Sequence, residues 1–263
     1  GSALRTEVLA LEADLGQGVP LEQAIAARDL PDLYVRLVQA GVKGNDLPGV
    51  LTHLADLTSL RTLSLNHNRE ITDAGLAHIE GLTKLQTLNL NSTKTGLMHL
   101  AHLAGLTDLQ ELDLSHTGIT DAGLAHLAGL TNLQGLDLSV TEITDAGLAH
   151  LAGLTDLQGL DLSVTEITDA GLAHLTDLTS LETLDLTFTE ITDAGLRHLA
   201  GLTDLQTLHL IGTKITDAGL MHLVGMTGLQ VLILSETEIT DVGVADLQEA
   251  LPGTIVFAGS LGW

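Results

Sequence analysis

The chain repeats itself with a period of 24 residues, and this period constrains its fold more than any other feature. The segment LTNLQGLDLSVTEITDAGLAHLAG at residues 130–153 recurs almost unchanged as LTDLQGLDLSVTEITDAGLAHLTD at residues 154–177. One leucine near the start of each unit recurs in steps of 24 residues, after a first step of 25, at Leu60, Leu85, Leu109, Leu133, Leu157, Leu181, Leu205 and Leu229. Eight units therefore run over about residues 60–252. Such a repeat predicts one elongated array of stacked units rather than two globular domains.

Each unit is predicted to contain a short strand followed by a short helix. Leucines alternate at Leu136 and Leu138, which is typical of a strand with one buried face. Later in the unit leucines recur every third residue, which predicts a short helix over residues 145–153. Thr144 or Asp145 is the expected N-cap, and Gly153 the expected left-handed residue after the helix. One unit cannot bury its own leucines, so neighbouring units must stack.

The L-x-x-L-x-L core resembles the leucine-rich repeat family, and the ITDAGLxHLxGL half resembles its bacterial members with 24-residue repeats. The resemblance covers about three quarters of the chain. It implies a right-handed α/β leucine-rich-repeat solenoid, with a concave parallel β-sheet and convex short α-helices. The family usually acts by binding proteins, so the resemblance also implies a protein-binding role.

One position departs from the family pattern. The asparagine that the family uses to hydrogen-bond buried backbone amides appears here only as Asn68. Threonine takes its place in the other units, at Thr93, Thr117, Thr141, Thr165, Thr189, Thr213 and Thr237. Because a hydroxyl both donates and accepts a hydrogen bond, we expect a weaker ladder of side-chain bonds to persist.

The ends of the chain and the second repeat break the pattern. Residues 2–15 and 21–42 have helical spacing and predict a helical N-terminal cap, which with the half-repeat leading into the array spans residues 1–59. The alternative is that these helices belong to a larger domain. Ala250-Leu251-Pro252 should end the last helix, and residues 254–257 should form a closing strand within a C-terminal cap over 253–263. In repeat two, residues 93–100 have either a rebuilt loop or a shorter loop and a longer helix, and the spacing favours the longer helix.

Composition narrows the class of partner. Lys and Arg number 10 against 34 Asp and Glu, and aromatic residues make up 2% of the chain, which argues against a nucleic-acid partner. There is no cysteine and no uninterrupted apolar stretch of membrane-spanning length, so thiolate sites and membrane insertion are not expected. The net charge of −24 should keep copies apart, which predicts a monomer. The leading Gly1-Ser2 resembles a cloning scar, which leaves a signal peptide and the compartment open.

Equivalent positions of a stacked array form columns, and one column on the strands is acidic. It contains Ser64, Asn89, Asp113, Asp137, Asp161, Asp185, His209 and Ile233. Stacked carboxylates repel each other, so they should bind cations or a basic partner, or have a raised pKa. A calcium site is disfavoured, because that ion needs six or more oxygen ligands. The alternative, which assigns them no binding role, is that these aspartates are ordinary solvated strand residues.

Apolar residues gather beside the acidic column in the C-terminal half. Two further columns, expected to face outward, contribute Val140, Val164, Phe188 and Ile211. Val231 and Ile233 extend this area, although the C-terminal tail is expected to cover them. Exposed apolar patches with a charged rim usually mark interaction sites. The predicted partner-binding residues are therefore Asp113, Asp137, Asp161, Asp185, Phe188, His209, Ile211, Val140 and Val164.

Two other columns contain side chains that could bind a metal, but neither predicts a metal site. Histidines recur on the helices at His78, His126, His150, His174, His198 and His222. Neighbouring helices pack about 8–10 Å apart, so adjacent pairs could only just converge on a zinc ion, and no carboxylate or thiolate at fixed spacing completes its ligand shell. Aspartates recur at the helix starts, at Asp73, Asp121, Asp145, Asp169, Asp193, Asp217 and Asp241, where they complement the helix dipole. We therefore predict no metal and no cofactor.

The sequence predicts a non-catalytic scaffold that binds a basic and apolar protein partner on its concave face. No phosphate-binding glycine loop and no nucleophile elbow occur, and Ser, His and Asp recur by period rather than as one unique constellation. The alternative is a targeting or recognition module of a larger enzyme, toxin or secreted effector. A metal-binding or enzymatic solenoid is less favoured, as is an ice-binding surface, because one threonine column should point inward.

Overall fold

The computed structural model describes residues 32–34, 55, 58–69, 71, 73–93 and 100–259. These residues form one parallel β-sheet whose strands follow each other in chain order. The strands are β1 (Asp32–Tyr34), β2 (Thr62–Ser64), β3 (Thr87–Asn89), β4 (Glu111–Asp113), β5 (Gly135–Asp137), β6 (Gly159–Asp161), β7 (Thr183–Asp185), β8 (Thr207–His209), β9 (Val231–Ile233) and β10 (Ile255–Phe257). A parallel sheet in chain order requires each connection to return to the same end of the sheet, as in a solenoid.

The strands pair in register, so equivalent residues of successive repeats lie side by side. Leu136 of β5 pairs with Leu160 of β6, and Asp137 pairs with Asp161. The middle leucine of each strand from β2 to β9 is buried, whereas its two neighbours point to the other face. The period of two therefore places the leucines in the core and the aspartates on the open face, as the alternation predicts.

Short helices carry the chain back between strands. They are α1 (Asp73–Leu76), α2 (Asp121–Leu124), α3 (Asp145–Leu148), α4 (Asp169–Leu172), α5 (Asp193–Leu196), α6 (Asp217–Leu220) and α7 (Asp241–Ala250). Several continue as a 3₁₀ turn, at Ala77–Ile79, Ala125–Leu127 and Ala173–Leu175, and another such turn spans Leu100–Leu103. The leucines at three-residue spacing are fully buried, for example Leu148, Leu151 and Leu154. Among the described residues, no helix is long and apolar enough to cross a membrane.

The predicted N-cap is confirmed at Thr144, which has an extended backbone and accepts a hydrogen bond from the Ala146 amide. The left-handed conformation predicted for Gly153 is wrong, because that glycine is not among the residues with positive φ. Leu154 N–H donates to the Leu151 carbonyl, so the chain leaves the helix through a further right-handed turn. A left-handed residue is therefore not required there.

The helix-start aspartates connect neighbouring repeats, a contact that the dipole argument did not anticipate. Asp145 accepts the Thr168 backbone N–H through Oδ1 at 2.8 Å and the Thr168 hydroxyl through Oδ2 at 2.6 Å. The same pair of bonds joins Asp121, Asp169, Asp193 and Asp217 to the threonine 23 residues later. Each aspartate therefore holds the next N-cap in place.

The threonine column keeps a hydrogen bond at the position of the family's asparagine, but that bond stays within the repeat. Thr141 Oγ1 donates to the Leu138 carbonyl at 2.6 Å, and Asn68 Nδ2 likewise donates to the Leu65 carbonyl. Backbone groups make the connection between repeats at this turn, as when Val140 N–H donates to the Ser163 carbonyl at 2.9 Å. The expected side-chain ladder is thus replaced by a backbone ladder.

Strand β1 corrects the N-terminal prediction, because it lies within residues 21–42, where a helix was expected. It pairs in parallel with β2, with Leu33 beside Leu63. Leu30, Leu33 and Val35 have the same spacing as the leucines of a repeat, and this signal was overlooked in the helical interpretation. The remaining cap predictions over 1–59, and the altered loop of repeat two at 94–99, lie outside the described residues. At the other end, α7 ends at Ala250 and β10 closes the sheet beside β9, as predicted.

Candidate functional site

The acidic column lies on the open face of the sheet, in a groove of about 540 Å³. Register brings Asp113, Asp137, Asp161 and Asp185 into one row that ends at His209. Neighbouring strands lie about 4.8 Å apart, so the carboxylates are near neighbours. The structure therefore brings together the five predicted residues of this column.

Each of these aspartates also holds the turn that follows its own strand. Asp137 Oδ1 accepts the Ser139 N–H at 2.9 Å and the Ser139 hydroxyl at 2.7 Å. Asp113, Asp161 and Asp185 accept the N–H two residues later in the same way. The column is thus partly structural, and one oxygen of each carboxylate is committed to the backbone.

The Oδ2 atoms of these four aspartates have different hydrogen-bond partners along the row. At one end Asn89 Nδ2 donates to Asp113 Oδ2 at 2.7 Å, and at the other His209 Nδ1 lies 2.8 Å from Asp185 Oδ2. The two central carboxylates, Asp137 and Asp161, find no hydrogen-bond partner for Oδ2 within the part of the chain that the structure describes. The free acceptors of the row are therefore concentrated at its centre.

Burial and charge act together at this centre. Burial raises the pKa of Asp161, hydrogen bonds from Ser163 partly offset this, and the charges of Asp185 and Asp137 raise it further. Burial also raises the pKa of Glu111, which lies at the first position of β4. A cation placed here would relieve a repulsion that the fold leaves unbalanced.

Two glycines lie in the floor of the groove, and the sequence interpretation missed them. Gly135 and Gly159 occupy the strand position that holds Glu111 or Thr183 in neighbouring repeats. The Glu111 carboxylate fills the space beside Gly135, whereas a side chain at Gly159 would meet nothing within 4 Å. The signal was the loss of a side chain at one column position in two consecutive repeats.

A row of exposed apolar residues lies in the turns after β5, β6 and β7, three residues after the aspartates of the acidic row. Val140, Val164 and Phe188 are 37%, 47% and 52% exposed. All three have left-handed backbone conformations, with φ of 54° to 55°. The Phe188 ring lies against Gly212 of the next repeat, where any Cβ would overlap it.

The column that contains Ile211 was expected to face outward, but it is largely covered; its other members include Ser115, Ser139, Ser163, Thr187 and Ser235. Ser115, Ser139 and Ser235 are buried, and Ile211 is only half-buried. The aspartate two residues earlier holds this position, as when Ser139 donates both its N–H and its hydroxyl to Asp137 Oδ1. Thr187 of this column has a buried hydroxyl with no hydrogen-bond partner in the described part of the structure. Val231 and Ile233 are half-buried next to β10.

The helix histidines stay apart from this face. Among the described residues, no group of three or more His, Asp or Glu side chains could hold a metal ion. His102, in the second repeat, instead pairs with Glu80 at 2.9 Å on the helix side. The candidate site is therefore the paired acidic and apolar rows of the open sheet face.

A sheet in chain order with a short helix in most repeats defines a solenoid repeat protein. The sequence pattern of the leucine-rich repeat region matches residues 44–247, so the chain belongs to the leucine-rich repeat family. Members of this family are typically protein-interaction modules. No curated protein sequence matches the chain.

Solved structures with the same fold include bacterial proteins. Internalin C2 from Listeria monocytogenes shares 30% identity at a TM-score of 0.66, covering 82% of this chain and 91% of its own. A second Listeria internalin shares 26% identity at 0.56, covering 81% and 70%. A leucine-rich repeat protein from Leptospira interrogans, at 20% identity and 0.52, covers 78% and 62% and is similar in fold alone.

Proposed function

We propose that this chain is a non-catalytic interaction module that binds a basic and apolar protein partner on its concave sheet face. The observation that carries the proposal is the juxtaposition of two features. The free Oδ2 atoms of Asp137 and Asp161 lie in the groove, and the exposed row of Val140, Val164 and Phe188 lies in the turns that follow the same strands, three residues after each aspartate.

Charge favours a basic partner. The net charge of −24 creates a field that attracts cations over a longer range than the groove itself. Complementary charge raises association rates and selects partners, while buried aromatic anchors contribute most of the affinity. Phe188 is the candidate anchor, and the central aspartates are the candidate selectors.

The absence of a catalytic role is part of the proposal. The polar groups of the face recur as columns of equivalent residues, whereas catalysis requires different groups that converge on one reacting atom. Periodic rows instead suit an extended contact with another surface.

The test is a pair of variants on the face, each with a matched control. Phe188→Ala and Asp161→Lys should each weaken binding of a protein captured with the wild-type chain by about tenfold or more, since anchor and charge-pair losses cost about 2 kcal/mol. Met221→Ala and Asp156→Lys make the same kinds of change at other exposed positions and should leave the affinity unchanged. If both face variants bind as the wild type does, the concave site is wrong.

A further inference from the structure

The apolar row of the open face combines exposure with an unfavourable backbone conformation. Val140, Val164 and Phe188 have φ near 55°, a region that suits glycine or asparagine and is exceptional for β-branched side chains. Equivalent positions in other repeats hold His67, Ser92, His116, Gly212 and Glu236. Since Val164 and Phe188 are about half exposed, packing in the core does not account for their choice.

The left-handed conformation recurs at this position in all eight repeats, so the fold imposes it on the turn, but the fold does not require a valine or phenylalanine there. We propose, building on the function proposed above, that this face binds an amphipathic α-helix of the partner. The helix lies across β5–β7, with its apolar stripe on Val140, Val164 and Phe188 and with Lys or Arg residues toward Asp137 and Asp161.

Spacing favours a helix over an extended segment. The backbone ladder continues through the apolar row, because Val140 N–H bonds the Ser163 carbonyl and Val164 N–H bonds the Thr187 carbonyl. The row therefore keeps the strand spacing of about 4.8 Å and spans roughly 10 Å. Helix positions i, i+3 or i+4, and i+7 share one face and span about 10.5 Å. Alternate residues of a strand would span about 13 Å over three side chains.

Backbone hydrogen bonding favours the same choice. Strands β5, β6 and β7 each pair on both edges, so their N–H and C=O groups are already used. An extended segment pressed against this face would find no backbone partners and would leave its own polar groups unpaired. A helix satisfies its backbone internally and presents only side chains.

Charge gives the helix its orientation. Asp137 precedes Val140 by three residues and Asp161 precedes Val164 by three, so the acidic row runs parallel to the apolar row. The free Oδ2 atoms lie on one side only, at the two central repeats. A helix with basic residues along one border of its apolar stripe can contact both the acidic row and the apolar row favourably. A uniformly apolar helix can do so only with the apolar row.

The first experiment selects binders from a random peptide display library against the full chain. Peptides of about 18 residues are long enough to form a helix and equally free to bind extended. We expect enriched peptides to carry apolar residues at i, i+3 or i+4, and i+7 with Lys or Arg beside them, and to lose at least tenfold in affinity when a central residue is changed to proline. Extended, proline-tolerant peptides that still require Phe188 would overturn the helix and leave the proposed function standing. If no enriched peptide depends on Phe188 or Asp161, both are overturned.

The second experiment separates binding from folding at the strained row. Val164→Asn should raise the melting temperature, because asparagine tolerates positive φ, and should weaken the selected peptide at least tenfold. His67→Asn is the matched control, since His67 has φ of 60° at the equivalent position three repeats before Val140, and it should leave peptide affinity unchanged. A lower melting temperature for Val164→Asn with unchanged affinity would show that the valine serves folding, and the inference would fail.

Discussion

At the scale of single residues, Asp161 shows how a structural side chain remains available for recognition. One oxygen holds the turn through Ser163, while the other is free in the groove. Its neighbours Asp137 and Asp185 carry the same charge and pair with it in the sheet. Asp161 therefore stabilises its own turn, whereas the charges of the neighbouring aspartates disfavour its ionised form.

The pKa of Asp161 predicts a pH dependence. Because burial raises the folded-state pKa above the unfolded value, the folded state binds the proton more tightly, and stability falls as pH rises from the ordinary value through the raised one. Asp161→Asn keeps an acceptor for the Ser163 amide and removes the charge. We expect a modest gain in urea midpoint at neutral pH that disappears below the ordinary pKa of an aspartate. The same variant should weaken a basic partner, and a loss of stability at neutral pH would contradict the assignment.

At the scale of elements, the aspartate at each helix start explains why the third residue of the next repeat's helix is a glycine. Asp169 accepts the backbone N–H and the hydroxyl of Thr192. A Cβ at Gly195 would overlap that carboxylate and crowd Ile191. The sequence D-A-G is thus one unit of packing that spans two repeats, and it sets how each helix stacks on the previous one.

A double-mutant cycle tests this packing. Asp169→Ala should cost about 1–3 kcal/mol of unfolding free energy, because it removes two hydrogen bonds to a carboxylate. Gly195→Ala should cost about 1–3 kcal/mol through overpacking, and less when Asp169 is already alanine. Asp177→Ala, at an exposed position, and Gly201→Ala, where a Cβ meets nothing within 4 Å, are the controls. Additive costs in urea unfolding would show that the two sites are independent.

At the scale of the whole molecule, the array behaves as a stack in which each repeat contacts its neighbours. Each inner strand, β2–β9, pairs only with the strands before and after it, and the helices α4, α5 and α6 pack in the same order. Stability of such a stack is close to a sum over repeats and their interfaces. One whole unit should therefore be removable without loss of the fold.

Deleting residues 154–177 tests this expectation. The deletion removes β6 and α4 and leaves Thr192 in the position that Thr168 occupied relative to Asp145. We expect a folded chain with a smaller urea m-value, since m scales with the surface exposed on unfolding. Binding at the concave face should be lost, because Asp161 and Val164 are gone. Deletion of residues 154–165 breaks the register and should prevent folding, and a folded product there would refute the repeat-by-repeat stacking.

The sequence alone determined which leucines are buried and which residues form columns, because alternation along a strand and three-residue spacing along a helix are local properties. It therefore predicted that Asp137 and Asp161 share one face of the sheet and that Phe188 is exposed. Only the tertiary structure decided the left-handed backbone of Val164, the closed ends of the acidic row at Asn89 and His209, and the bonds from Asp145 to Thr168. Each of these depends on how one repeat sits on the next, and contacts between residues 23 or 24 positions apart leave no periodic signal within a single unit.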